Sequence, residues 1–315
     1  MIKKPDFKSR AAGIGLAAFS VFIWGITFVC TKSLLRDFSA LEILVFRFLM
    51  AYAGLWILCP HVLHIADRKQ ELVFAAAGLS GVTLYQFLEN MAILYTSASN
   101  VSIIVSICPI FTAIIAQLFL HEKHVTPLFV AGFIIAITGI ALVSFNGQVQ
   151  FHFSPKGDFM ALGAAVSWGF YSLFVSKINT MGYRNLACTR RVFFYALIFM
   201  IPLTAAGLFI PEIHARPEMA VDLSISLNAE RFAKPMNWIN LGFLGLAASA
   251  FCFAAWNKAC DILGTVYATV GIYLIPVVTI IFAFFALGEK ITVMGLAGAA
   301  CTITGLVISG IKTKA

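Results

Sequence analysis

Charge is what this chain has least of. Asp, Glu, Lys and Arg make up 11% of its 315 residues, only 14 of which are carboxylates, while 61% are hydrophobic. A water-exposed surface cannot be covered with so few polar residues, which excludes an ordinary soluble domain. Grouped cysteines are missing as well: Cys30, Cys59, Cys108, Cys188, Cys252, Cys260 and Cys301 stand singly, without a CxxC pair. Neither a disulfide framework nor a thiolate metal site follows from that spacing, and the thiols read as small residues of apolar runs. There is no Walker sequence, no HExxH helix and no catalytic-triad arrangement, so neither ATP-driven pumping within the chain nor an enzyme is expected, and no cofactor or metal is implied. His61 with His64, and His121 with His124, are spaced i,i+3, but Glu122 is the one acid beside them. They are read as interfacial histidines. Short alternating strand patterns are absent too, which argues against an outer-membrane barrel. The net charge of +8 comes from residues at the ends of apolar runs and in the tails. Without an aromatic-interleaved basic surface, nucleic acid is not an expected partner.

What the chain does have is apolar runs of about twenty residues, the length that crosses a hydrocarbon core of about 30 Å. Ten are read, at about 12–35, 40–59, 72–95, 99–120, 127–145, 158–179, 186–210, 237–260, 265–287 and 291–310. The first follows Lys3, Lys4, Lys8 and Arg10, is too long for a signal peptide and has no clear cleavage site, so it is expected to stay as a span. The distribution of Lys and Arg places both termini on the cytoplasmic side of an inner cell membrane, with the basic N-terminal tail contributing most. The polar interval Pro211–Asn237 then lies outside, where it reads as an insertion in a surface loop rather than as a lid.

The strongest pattern is a repeat. Asn100–Lys123 pairs without a gap with Tyr267–Lys290: Pro109 falls on Pro276, Thr112 on Thr279, Ala116 on Ala283, and Glu122-Lys123 on Glu289-Lys290. Upstream, Trp24-Gly25 matches Trp168-Gly169 and Arg47 matches Arg191. The expected organisation is a first repeat over 1–145, a linker over 146–157 and a second repeat over 158–315 that carries the loop 211–237. Five spans per unit is an odd number, so the second unit enters from the opposite side and the repeats are inverted, an architecture that serves alternating access.

By its WG pairs Trp24-Gly25 and Trp168-Gly169, its arginines Arg47 and Arg191, the stretch Ala92–Ala98 leading to Pro109 and Glu122, and the second copy from Lys258-Ala259 to Pro276 and Glu289, the chain resembles the drug/metabolite transporter superfamily, and within it the EamA-type carriers. The resemblance runs nearly full length. It implies an all-α integral membrane fold of ten transmembrane helices, arranged as two inverted five-helix repeats around a central cavity lined chiefly by spans one, three, four, six, eight and nine. Spans five and ten would brace the bundle or form a homodimer.

Polar groups inside the spans are the candidates for binding, because hydrocarbon tolerates them only beside a partner or a wet cavity. Span three carries Gln86, Glu89 and Asn90 on one face, and Glu89 is the one carboxylate well inside a span. It is read as a proton-coupling group or a counter-ion for an amino group. Its positional match is Trp256, beside Asn257. Ser102 and Ser106 form a stripe with Pro109, matched by Thr269 and Tyr273 with Pro276, and both stripes are expected to face the cavity. Trp24 and Thr27 of span one, and Trp168 and Tyr171 of span six, complete the candidate substrate site. Arg47 and Arg191 are read as structural, reaching headgroups or carbonyls from near the helix ends. Glu122-Lys123 and Glu289-Lys290 are read as interfacial anchors or latches. The expected function is a secondary transporter of small metabolites, amino acids or related compounds, with export favoured, embedded in the lipid bilayer, and with proton coupling resting on Glu89. A phosphorylated-sugar or nucleotide-sugar exchanger is the alternative within the superfamily, and a non-transporting scaffold or receptor is the alternative outside it.

Overall fold

A computed structural model describes residues 7–96, 98–121, 123–145, 154–209, 225–226, 228–287 and 292–311. Among these residues all regular structure is helical. Helices α1 (Phe7–Leu34) and α2 (Ala40–Leu58) come first, then α3 (Arg68–Ala77), which continues through a π-helical stretch, Gly78–Leu84, into α4 (Tyr85–Tyr95). Next are α5 (Ala98–Val105), α6 (Cys108–Leu120), α7 (Pro127–Phe145), α8 (Pro155–Asn179) and α9 (Asn185–Phe209). A 3-10 turn, Glu230–Ala233, leads to α10 (Pro235–Gly242), a second π-helical stretch, Phe243–Phe251, and α11 (Cys252–Leu263). The last elements are α12 (Thr265–Val270), a 3-10 turn, Gly271–Leu274, α13 (Ile275–Leu287) and α14 (Val293–Ser309). Seven continuous stretches are long and apolar enough to cross a membrane, and Pro127–Leu142, Thr265–Thr279 and Val293–Ser309 are shorter apolar helices. Each of the seven, and each of the three shorter helices, overlaps one of the apolar runs of the sequence.

Local sequence sets the helix ends. Ser39 and Glu42 close a reciprocal capping box at the start of α2, with Glu42 N–H donating to Ser39 Oγ at 3.1 Å and Ser39 N–H to Glu42 Oε2 at 2.9 Å. Pro127, Pro155 and Pro235 each begin a helix, where the missing N–H has no partner to lose. Pro109 and Pro276 are the second residues of α6 and α13. In both spans the helical hydrogen-bond register changes just before the proline, at the turn of Ser106 and Ile107 in the fourth and at the 3-10 turn Gly271–Leu274 in the ninth. At the α11–α12 junction Gly264, at φ +87°, turns the chain in a single residue, a conformation that side chains disfavour.

The irregularities recur at matched places. In the register that sets Pro109 on Pro276, the final residues of the two π stretches, Leu84 and Phe251, also coincide. Gly25 of α1 crosses α13, where an added Cβ would lie 2.6 Å from Val278, and Gly169 of α8 crosses α6 against Phe111, the residue paired with Val278. Each half thus passes its first helix against the second part of the other half's broken span. The start of α1 and the end of α14 share one end of the bundle, where Arg10 lies over the ring of Tyr267 and Ile14 and Ile311 line the same cavity.

Helices α7 and α14 pack backbone to backbone. A Cβ on Gly139 would meet Thr302 N at 2.4 Å, and one on Gly305 would meet Ala136 N at 2.3 Å. Small residues permit this approach, and dispersion between the two backbones is the force available where hydrocarbon surrounds both helices. Gly305→Val is expected to destabilise the protein by about 1–3 kcal/mol in thermal denaturation, while Gly15→Ala, at a helical position with open space, does not lower the transition. Equal melting of the two variants would contradict this packing.

Candidate functional site

Where α1, α2, α4, α8 and the Gly271–Leu274 turn converge, they enclose a small cavity lined by Trp24, Thr27, Phe28, Arg47, Tyr85, Gln86, Glu89, Trp168, Ile272 and Ile275. Its volume is about 20 Å³, enough for a water molecule and far below what a metabolite needs.

Arg47 is the polar centre of this site and is 1% exposed. Its Nε donates to Ser249 Oγ at 2.6 Å and its Nη1 to Gln86 Oε1 at 2.7 Å. It also interacts electrostatically with Glu89, whose carboxylate accepts from the Tyr85 hydroxyl one helical turn earlier. The reading of Arg47 as a residue reaching toward headgroups is therefore corrected: hydrogen bonds and a counter-charge replace its hydration inside the bundle, so it has no need to extend outward. Arg191 behaves differently. It pairs with Glu71 through two hydrogen bonds, and Tyr195 donates to the same carboxylate at 2.7 Å. The neighbouring Arg190 donates to the carbonyls of Cys59 and His61 and lies 3.9 Å from the Trp56 ring centre.

The apolar walls are indoles. Trp24 and Trp168, the two matched tryptophans, meet edge to face at 5.4 Å, and Trp256 stands 5.0 Å from the first and 6.0 Å from the second. Tyr85 adds a ring 4.9 Å from Trp168. The matched indoles differ in one respect. Trp24 Nε1 donates to Ala248 O at 2.9 Å, inside the second π stretch. The residue paired with Ala248 in the first half is Gly81, which is covered by the ring of Tyr171. Trp168 Nε1 is buried without an acceptor among the described residues. An orphaned donor on a cavity wall is a place for a ligand acceptor.

Of the residues singled out from sequence, Trp24, Thr27, Gln86, Glu89 and Trp168 line the cavity, and Trp256 backs it. The others lie elsewhere. Asn90 Nδ2 donates to Ala40 O at 3.2 Å and fastens α4 to the start of α2. Tyr171 donates to Asn257 Oδ1 at 2.8 Å, and Asn257 donates to Thr189 at 3.1 Å, a buried chain across α8, α11 and α9. Ser106 and Thr269 donate to the carbonyls of Ser102 and Thr265, one turn back on their own helices. Ser102 is buried beside Ser106, and Tyr273 packs among Phe129, Ala136 and Ile140 of α7. Neither stripe reaches the cavity wall. Sequence reasoning passed over Tyr85, Phe28, Ile272 and Ile275, and read Arg47 as structural rather than as part of the cavity wall. The i,i+4 spacing of Tyr85 and Glu89 was an available signal for one, and the position of Arg47 within an apolar span was a signal for another. The aliphatic pair carried none. Spans one, two, three, six and nine supply the lining, so span two replaces the expected spans four and eight.

A sequence model of the EamA-like transporter family matches residues 11–145 and again 155–311. The chain is 27% identical over 302 residues to an uncharacterized transporter of Archaeoglobus fulgidus, spanning 94% of this chain and 96% of that one. It is 26% identical over 296 residues to a probable terminal-alkyne amino-acid exporter of Streptantibioticus cattleyicolor, covering 93% and 92%. A probable amino-acid metabolite efflux pump of Escherichia coli is 26% identical over 306 residues, covering 96% and 95%. A solved crystal structure superposes with a TM-score of 0.71 at 15% identity over 95% of this chain and 96% of its own, a likeness of fold.

Proposed function

The chain belongs to the EamA-like transporter family, multi-pass membrane transporters of small molecules, and from that premise we propose that it carries zwitterionic amino acids, or close relatives, by alternating access around the cavity at Arg47 and Glu89. The observation that carries the reading is the burial of one cation and one carboxylate on the same cavity wall. A zwitterion presents the complementary pair: its carboxylate to Arg47 and the orphaned Trp168 Nε1, its ammonium to Glu89. The three indoles suit an apolar or aromatic side chain. A cavity of about 20 Å³ must open before it accepts such a substrate, so binding has to be coupled to movement of the helices. Glu89 is the group that would couple movement to a proton. Export is the direction favoured, since two of the similar proteins bear exporter or efflux names. The proposed frame is two inverted repeats, 1–145 and 158–315, with both termini on the cytoplasmic side of the inner membrane. A homodimer is left to the mass of the purified protein in detergent. The phosphorylated-sugar alternative gains nothing from the geometry, because Arg191 is held by Glu71 and the cavity offers a single cation balanced by an acid.

The test is flux in proteoliposomes loaded with labelled phenylalanine, leucine, glutamate or glucose 6-phosphate, with and without a proton gradient. Faster release of the two apolar amino acids than from protein-free vesicles is expected, increased by the gradient. Release of the sugar phosphate alone would overturn the substrate reading, and no flux of any solute would favour a scaffold or receptor.

A further inference from the structure

Two larger cavities lie side by side at the end of the bundle where α1 begins and α14 ends. One, of about 380 Å³, is an apolar fissure between α1, α12 and α14, with Ile14, Val21, Leu274 and Val307 on its walls. The other, of about 320 Å³, is polar and is lined in part by Lys123, His124, Thr126 and Ser176. Tyr267 and the residues just after α14, Gly310 and Ile311, belong to both, so the two cavities share one wall. The guanidinium of Arg10 sits 5.5 Å from the centre of the Tyr267 ring. Among the described residues neither Arg10 nor Lys123 has a carboxylate partner, and the nearby acid Asp261 is taken by Lys258 at 2.6 Å.

We infer that this double cavity binds one anionic phospholipid of the surrounding bilayer, with an acyl chain in the fissure and the phosphate beside Tyr267, between Arg10 and Lys123. The rims of the fissure are apolar residues open to the outside of the bundle, Ile14 at 47% and Val307 at 57% exposure, so the fissure faces hydrocarbon and an acyl chain has direct access. The polar pocket and both cations lie at the helix ends, the level of the headgroups. An apolar slot beside two cations that have no carboxylate partner among the described residues matches an anionic amphiphile, whereas a zwitterionic headgroup brings no net charge to those cations. The site also borders the transport cavity. Gly271 and Leu274 of the 3-10 turn face the fissure, while Ile272 and Ile275, one residue along from each, face the central cavity. A bound chain would therefore support the partition between the two spaces. This lipid site is independent of which solute the central cavity carries.

The full-length protein, stripped of lipid in detergent, is titrated with phosphatidylglycerol or phosphatidylcholine of identical chains and examined by native mass spectrometry. One phosphatidylglycerol is expected to be retained about tenfold more tightly than phosphatidylcholine. The exposed double variant Arg10→Gln/Lys123→Gln should bring both lipids to the same weak affinity, and Ala18→Trp, which fills the fissure from α1, should weaken both. Equal binding of the two lipids by the unaltered protein would reduce the site to an acyl groove and overturn the inference. A phosphatidylglycerol preference that survives the charge variant would overturn it as well.

Discussion

Arg47→Met is expected to lower flux of the proposed amino-acid substrate by about a hundredfold or more and to reduce thermal stability in the same step. The guanidinium holds Gln86 and Ser249 from two different helices and balances Glu89, so removing it leaves two hydrogen-bonding groups and a carboxylate buried without their partner. Breaking a buried charge interaction from one side costs about 3–5 kcal/mol, because the remaining charge keeps its desolvation penalty. A loss of flux alone would then be ambiguous between a damaged fold and a damaged site. The double variant Arg47→Met/Glu89→Gln separates them: with both charges gone the desolvation penalty falls, and most of the stability should return. Transport should not return, since neither end of a zwitterion then finds its counter-charge. Flux restored together with stability would mean that the two residues serve the fold and not the substrate. Glu89→Gln by itself should remove the response to a proton gradient, whatever it does to the rate.

The spans were legible because hydrocarbon thickness imposes a length on every crossing helix, and the scarcity of charge marks where each crossing stops. The run read at 40–59 is α2, Ala40–Leu58, and the run read at 127–145 is α7, Pro127–Phe145. The facing of side chains was much less legible. In a helix that is apolar on every side, periodicity does not distinguish core from lipid, and hydroxyls such as those of Ser106 and Thr269 are satisfied by their own backbone without turning toward anything. The contacts that make the site join residues far apart in the chain: Arg47 with Ser249, Trp24 with the carbonyl of Ala248. Both of those acceptors sit in a π-helical stretch, whose extra residue per turn leaves no mark in composition. The repeated tryptophans were the best clue, since these two matched positions meet ring to ring, Trp24 against Trp168. The readings of Glu122, Glu289 and Lys290 as anchors fall outside the described residues.

The loop before α10 was read as a surface insertion, yet its described part is tied into the bundle, which leads to the second large expected effect. Arg231 and Glu42 form an ion pair at 2.7 Å, with side chains 7% and 4% exposed. The guanidinium also donates to Ser226 O at 2.6 Å and lies 4.6 Å from the ring centre of Phe38, while Ser226 N–H donates to the second carboxylate oxygen at 2.7 Å. Beside this pair, Lys234 and Asn237 both donate to Asp37, at 2.6 and 3.0 Å. Those two hydrogen bonds hold the Asp37 carboxyl below its ordinary range, so its contribution is complete above about pH 3.8 and is lost as the pH falls through the lower, folded value. Together these contacts clasp the α1–α2 connection to the segment leading into α10, at the end of the bundle opposite the start of α1 and its two larger cavities. Arg231→Met should cost about 3–5 kcal/mol in thermal denaturation, because it strands the Glu42 carboxylate, and Arg231→Met/Glu42→Gln should recover much of that loss. The proposed alternating access requires this end to part in one of its states, so the single variant should then also shift the population toward the parted form. A cysteine at Leu34, which is fully buried here, reports it: a membrane-impermeant thiol reagent should modify it several-fold faster in the Arg231→Met background. Unchanged labelling with lowered stability would show that the clasp holds the fold together without governing access to the cavity.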